Sequence, residues 1–157
     1  MKLNKLMFRE YDIRGIWNED ITEEISYYIG RAYATKLLSL KKNKMIVGYD
    51  NRLSSPIIEK NLVKGLTDGG VDVVRLGLVT TPMYYYAWDK LNIHCGIMIT
   101  ASHNPKEYNG FKMSYNGIHN CFGNEVAELY YIILNGIYSK GNGSITDANI
   151  KEDYIKM

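Results

Sequence analysis

Met45-Ile46-Val47-Gly48-Tyr49, then Ser54-Ser55-Pro56 opening a segment with Ile58, Leu62 and Leu66 along one stripe, then Val71-Asp72-Val73-Val74-Arg75-Leu76: this stretch decides the fold. The first run is short, apolar and bounded by polar residues, which suits a buried strand. Serine followed by proline reads as a hydroxyl cap with proline at the first helical position, and Gly69-Gly70 supplies the stop. The last run is rich in β-branched residues and forms a second strand. A strand, a helix and a strand at this spacing make a parallel crossover unit.

Outward from this unit the alternation continues. Before it, Ile21 to Leu40 has Ile21, Ile25, Tyr28, Ile29, Ala32, Tyr33, Leu37 and Leu40 on one helical face, with Thr22 or Asp20 as cap. After it, Thr81-Pro82 repeats the cap-then-proline start and opens a third helix with Met83, Tyr84, Ala87, Trp88 and Leu91 inward. His94 to Ile99 is the third strand and Phe111 to Tyr115 the fourth, followed by the turn signal Asn116-Gly117. A last helix is expected from Asn124 to Ile137, with Val126, Leu129, Tyr130, Ile133 and Ile137 inward. The pattern predicts a three-layer α/β/α sandwich around a mixed four-stranded sheet. The fourth strand follows the third after about ten residues, too few for a helical crossover, and is expected to be antiparallel. Residues 1–140 read as the domain, and residues 141–157, with glycine, serine and asparagine near their start, as a linker.

Composition narrows the class. The chain has 157 residues, 46% hydrophobic and 23% charged, which is globular rather than disordered. A net charge of +2 gives no reason to propose a nucleic-acid or membrane partner. No apolar run approaches the ~18 residues of a membrane span, and the start lacks a signal-peptide run, so a cytoplasmic location is expected. Cys95 and Cys121 form no CxxC pair and read as buried free thiols. His94 and His119 stand near them without the dense spacing of a zinc site. The fourteen tyrosines carry no functional weight.

Ligands of open α/β sheets collect beyond the carboxyl ends of the strands. Directly after the third strand comes Thr100-Ala101-Ser102-His103-Asn104-Pro105: a hydroxyl, an imidazole and an amide in a turn stiffened by proline, with Lys112 on the next strand. Read from residue types alone, this is equally a polar turn or a nucleophile loop. It is neither a GxSxG elbow nor a GxxxxGK[ST] phosphate loop.

The stretch Gly96 to Pro105, continued by Tyr108-Asn109-Gly110-Phe111-Lys112, resembles the phosphoserine loop of the α-D-phosphohexomutases. Three further segments are similar to the same family's first domain, in the expected order. They are Phe8-Arg9-Glu10-Tyr11-Asp12-Ile13-Arg14-Gly15, Gly48-Tyr49-Asp50-Asn51-Arg52-Leu53-Ser54-Ser55 and Gly77-Leu78-Val79-Thr80-Thr81-Pro82. The resemblance implies an α/β/α first domain of a four-domain enzyme. It also implies interconversion of 1-phospho and 6-phospho hexoses through a hexose bisphosphate. It assigns Ser102 as the serine that carries the phosphoryl group and, once phosphorylated, supplies a ligand to Mg²⁺. Lys112 matches the general acid/base lysine and His103 the adjacent histidine, in proton transfer or in holding the loop. Tyr11 and Arg14 match residues facing the cleft, where an arginine fork clamps phosphate oxygens. Asn104 shapes the loop as much as it touches ligand. Arg52 reads as a brace between loops, with Asp50 as its partner or a capping acceptor.

The family's DGDxDR metal loop, its GExSG-type sugar loop and its fourth-domain phosphate loop do not occur in this sequence. The expectation is a domain that acts with the remaining mutase domains and is inactive alone. The alternative is a stand-alone sugar-phosphate-binding or scaffold module that has lost catalysis. The form of the first motif resembles the phosphomannomutase/phosphoglucomutase branch, without deciding between glucose and mannose.

Overall fold

The computed structural model describes residues 1–156. After a 3₁₀ turn at Lys5–Met7 the chain runs β1 (Ile13–Ile16), α1 (Glu23–Ser39), β2 (Lys44–Tyr49), α2 (Ser55–Asp68), β3 (Asp72–Leu78) and α3 (Thr81–Lys90). It continues through β4 (Gly96–Ile99), β5 (Tyr108–Ser114), α4 (Asn124–Asn135), β6 (Ile145–Asp147) and α5 (Lys151–Ile155). One sheet orders these strands β1-β5-β4-β2-β3-β6. β2, β3, β4 and β6 are parallel, while β5 pairs antiparallel with both β4 and β1. The antiparallel return of β5 is the one its short connection requires.

The sheet has six strands, not the expected four. β1 holds an arginine and a glycine in four residues, too short for a period to show, and exists through its pairing with β5. β6 exposes all three of its residues and is held by the β3 ladder and by Arg75, whose guanidinium donates to both carboxylate oxygens of Asp147 at 2.7 and 3.1 Å. Neither strand carries an apolar pattern of its own.

Helices α1, α2 and α4 cover one sheet face. Ile25, Ile29, Tyr33 and Leu37 of α1, Ile58, Leu62 and Leu66 of α2, and Val126, Leu129 and Ile133 of α4 pack there against the strands. On the other face α3 brings Tyr84, Ala87 and Trp88 against Ile46, Val74, Leu76 and Met98, with Ile150 closing the edge. Thr22 caps α1, its hydroxyl accepting from the Ile25 amide at 3.1 Å; at α3 the cap is Thr80 rather than the expected Thr81, accepting from the Met83 amide at 3.3 Å. Three further expected features differ: Leu40, placed on the inner face of the first helix, lies just past the end of α1 and is exposed. Ser54 makes no cap bond: its backbone is helical (φ −77°, ψ −17°) rather than extended, its hydroxyl accepts from Asn109, and Pro56 takes the second helical position rather than the first. Ile137 is exposed, because α4 stops at Gly136 in the left-handed conformation.

α1 and α2 cross at two glycines. A β-carbon on Gly65 would lie 2.0 Å from the Tyr27 carbonyl oxygen, and one on Gly30 2.3 Å from that of Leu62. The backbones touch, which seats α2 and the loop that precedes it. Cys95 and Cys121 are buried free thiols; burial first, with Glu125 adding to it, pushes the Cys121 thiol up to about 12. No described helix is long and apolar enough to cross a membrane.

Candidate active site

Three segments meet where the parallel strands end: Asp12–Arg14 with β1, Asp50–Ser55 after β2, and Thr100–Pro105 after β4. Register explains the meeting. Arg14 sits opposite Gly110, and the Thr100 amide donates to the Gly110 carbonyl at 3.0 Å, so all three positions share one row across β1, β5 and β4.

Phe111 and Met113 point into the core under α1 and α2, so Lys112 between them faces the other way. Ile13 is likewise in that core, and Arg14 turns to the face of Lys112. No residue of β1 or β5 belongs to the cluster that α3 covers, which leaves this part of the face to the two cations. Lys112 is half-buried and forms no hydrogen bond or ion pair among the described residues.

Arg14 links the first and third segments. One terminal nitrogen donates to Asp12 Oδ2 at 2.6 Å and the other to Asn104 Oδ1. Asp12 is buried, so its charge is held by Arg14, and Arg9 stands 3.4 Å from its other oxygen. The Arg14 side chain keeps 13% of its surface exposed at the site. Ser102 has φ of +53°, a left-handed backbone that a residue with a β-carbon adopts at a cost, and its amide donates to Thr100 Oγ1 at 3.0 Å. His103 is exposed beside it, and Tyr11 is 70% exposed just before β1.

The second and third segments are fastened together by Arg52. It donates to the carbonyls of Ser102 (3.0 Å), Asn104 (2.8 Å), Pro105 (2.7 Å) and Tyr108 (3.0 Å). Its Nε donates to Asp50 Oδ2 at 3.3 Å, while Asp50 Oδ1 accepts from the Ser55 hydroxyl at 2.8 Å. The brace and its partner are thus as the sequence suggests. Between the segments lies a depression of about 380 Å³, walled by Asp50 to Leu53 on one side and by Ser102, Asn104 and Lys106 on the other.

Sequence reasoning missed Asn109 as an individual residue. It is fully buried, and its amide donates to Ser54 Oγ at 2.8 Å and Ser55 Oγ at 3.0 Å, tying β5 to the start of α2. Its one signal was an amide two residues ahead of an apolar run. Among the described residues no group of three or more His, Cys, Asp or Glu side chains could hold a metal ion. Of the ligands expected for Mg²⁺, the described residues offer the Ser102 oxygen, by itself too small a donor set.

Comparison with known proteins agrees with this architecture. Residues 5–136 match the family model described as phosphoglucomutase/phosphomannomutase, alpha/beta/alpha domain I. The chain is 40% identical over 152 residues to a phosphoglucomutase of Neisseria meningitidis serogroup B, covering 96% of this chain and 33% of that protein. It is 45% identical over 152 residues to a phosphomannomutase/phosphoglucomutase of Pseudomonas putida, covering 96% and 32%. A crystal structure of a phosphoglucomutase/phosphomannomutase family protein from Burkholderia thailandensis superposes with a TM-score of 0.93 at 31% identity, covering 99% of this chain and 35% of that one. The chain spans about a third of the length of these relatives. With the sandwich and the meeting of its three loops described, the match over residues 5–136 shows that the chain belongs to the phosphoglucomutase/phosphomannomutase family, as its α/β/α domain I.

Proposed function

We propose that this chain is the phosphoserine-bearing domain of a mutase that interconverts 1-phospho and 6-phospho hexoses through a hexose bisphosphate. The observation that carries the reading is Ser102 itself. It sits beyond the end of β4 in a left-handed backbone, in a loop fastened by Arg52 and bridged through Asn104 to Arg14.

In the proposed step the bond between Ser102 Oγ and phosphorus breaks while a bond forms from phosphorus to a hydroxyl oxygen of the bound hexose phosphate. That hydroxyl gives up its proton and the serine oxygen regains one. The reverse step takes the other phosphoryl group from the bisphosphate back to Ser102. Arg14 offers positive charge and unused N–H groups to the phosphoryl oxygens. Lys112, on the same open face, is the proposed proton carrier, with His103 in support. Tyr11 lines the approach. Holding donor and acceptor in place supplies up to roughly 7–11 kcal/mol of such a barrier. This chain's share in holding Mg²⁺ is limited to a phosphoryl oxygen on Ser102, and turnover is proposed to need the remaining mutase domains.

Grafting tests the reading. Residues 5–136 replace the matching domain of the Pseudomonas putida relative, and conversion of glucose 1-phosphate and mannose 1-phosphate is measured. The expected result is turnover that Ser102→Ala abolishes, with phosphoserine mapped to position 102, and no turnover by the 157-residue chain alone. A folded graft that binds hexose phosphate without turning it over would instead identify a binding module.

A further inference from the structure

We infer that Arg52 is a positioning residue of this site, which sets the left-handed conformation of Ser102 and so the direction of its hydroxyl, without touching phosphate. The inference rests on the reading of Ser102 as the reacting residue, and it concerns a residue outside the set that handles phosphate or protons.

A guanidinium carries five N–H donors and no acceptor. In Arg52 all five are spent: Nε on Asp50, one terminal nitrogen on the carbonyls of Pro105 and Tyr108, the other on those of Ser102 and Asn104. Nothing is left for a ligand. Arg14, with terminal bonds to Asp12 and Asn104 only, keeps donors free. Two arginines in one site therefore divide the work: one reaches outward and one fixes the loop.

The four carbonyls belong to residues 102–108, and drawing them toward one cation fixes the rotation of the peptide planes on which they sit. Among the described residues every peptide bond is trans, so the N–H groups of His103, Lys106 and Asn109, which follow three of these carbonyls, point away from Arg52. The carbonyl of Ser102 is among the four, which pins ψ at Ser102, while the bond from its amide to Thr100 Oγ1 pins φ from the other side. A left-handed serine is strained by its β-carbon and persists where its surroundings over-determine it. Arg52 is the surrounding group that does so, and the buried side of its fork is anchored by Asp50, itself bonded to Ser55 at the start of α2. Lysine cannot replace it. A single ammonium has three donors and no plane, too few to span four carbonyls and a carboxylate.

The test is made on the 157-residue chain by NMR. Ser102 is followed through its Cα, Cβ and Hα shifts and its amide–Hα coupling, which report the left-handed conformation, alongside thermal unfolding. In Arg52→Ala the signature is expected to disappear and the amides of residues 102–108 to broaden or double, while the fold melts cooperatively. Added guanidinium should restore the signature, and methylammonium at the same concentration should not. Arg52→Lys, which keeps charge and stem, should also lose it. Should the alanine variant fail to fold, the lysine variant carries the same expectation. A Ser102 that keeps its left-handed signature in either folded variant overturns the inference, as does rescue by both cations alike. In the grafted enzyme Arg52→Lys should lower kcat by about 100-fold with KM little changed. Absence of turnover in the unmutated graft, with the Ser102 signature intact, would sink the proposed function and leave the role of Arg52 standing.

Discussion

The amide nitrogen of Asn109 lies 2.8 Å from the hydroxyl of Ser54 and 3.0 Å from that of Ser55, so one buried side chain in a strand holds both serines at the start of α2. Its carbonyl oxygen is used as well, accepting from the Gly110 amide at 2.9 Å. Asn109→Ala leaves two hydroxyls short of a partner in a place water does not reach. The expected cost is about 1–3 kcal/mol in urea unfolding. Amides of residues 50–55 should exchange hydrogen faster in the variant, because the loop loses its tie to β5.

The left-handed backbone of Ser102 predicts an order among substitutions. Glycine adopts positive φ without the steric cost a β-carbon brings. Ser102→Gly should therefore be more stable than Ser102→Ala by about 1 kcal/mol, read from denaturant midpoints at equal slope. Equal stabilities would mean that the loop relaxes to an ordinary conformation once the hydroxyl is gone.

Lys112 separates charge from proton transfer. Arginine keeps the charge but does not give up a proton near neutral pH. In the grafted enzyme Lys112→Arg should lower kcat by about 100-fold or more, in the range ascribed to a positioned acid or base, while substrate phosphate still binds. Near wild-type kcat with an unchanged pH profile would reduce Lys112 to an electrostatic role.

Glu59 is a costly carboxyl, because no cation among the described residues pairs with it directly. It is 8% exposed, and its Oε2 has no partner. Burial holds its pKa above the ordinary 4.5; Arg75 pulls it down and Asp147 pushes it further up. The folded chain thus holds this proton more tightly than the unfolded chain. Its contribution to stability is full below the ordinary glutamate value and is lost as pH rises through the raised folded value. Glu59→Met removes the penalty and should gain about 1–2 kcal/mol at neutral pH, with a smaller gain in acid. A gain that does not depend on pH would show that packing, not ionisation, sets the difference.

Legibility in the sequence followed how local each feature was. β2 and β4 are short apolar runs, β3 is rich in β-branched residues, and α1 to α4 show their stripes, so the three layers and the antiparallel β5 could be read directly. β1 and β6 could not, because Ile13–Ile16 and Ile145–Asp147 are strands by virtue of their neighbours rather than their own composition. Ser54 reads as a cap from its neighbours in sequence, whereas its helical backbone and the bond it accepts from Asn109, 55 positions away, belong to the folded chain. The same holds for Gly30 and Gly65, ordinary residues in a helical pattern until the two helices are seen to touch. Arg52 was legible as a brace, whereas the identity of its four carbonyl partners is a property of the folded loop.

The order β1-β5-β4-β2-β3-β6 also determines how the molecule meets other chains. Its two outer strands have four and three residues, against seven in β5 and in β3 beside them. Each outer rim therefore offers a ladder only a few rungs long. At one rim Asp147 is exposed and paired with Arg75. A foreign strand docking there would gain few hydrogen bonds and would have to accommodate that ion pair, so the short terminal strands guard a six-stranded sheet against growing into a fibril.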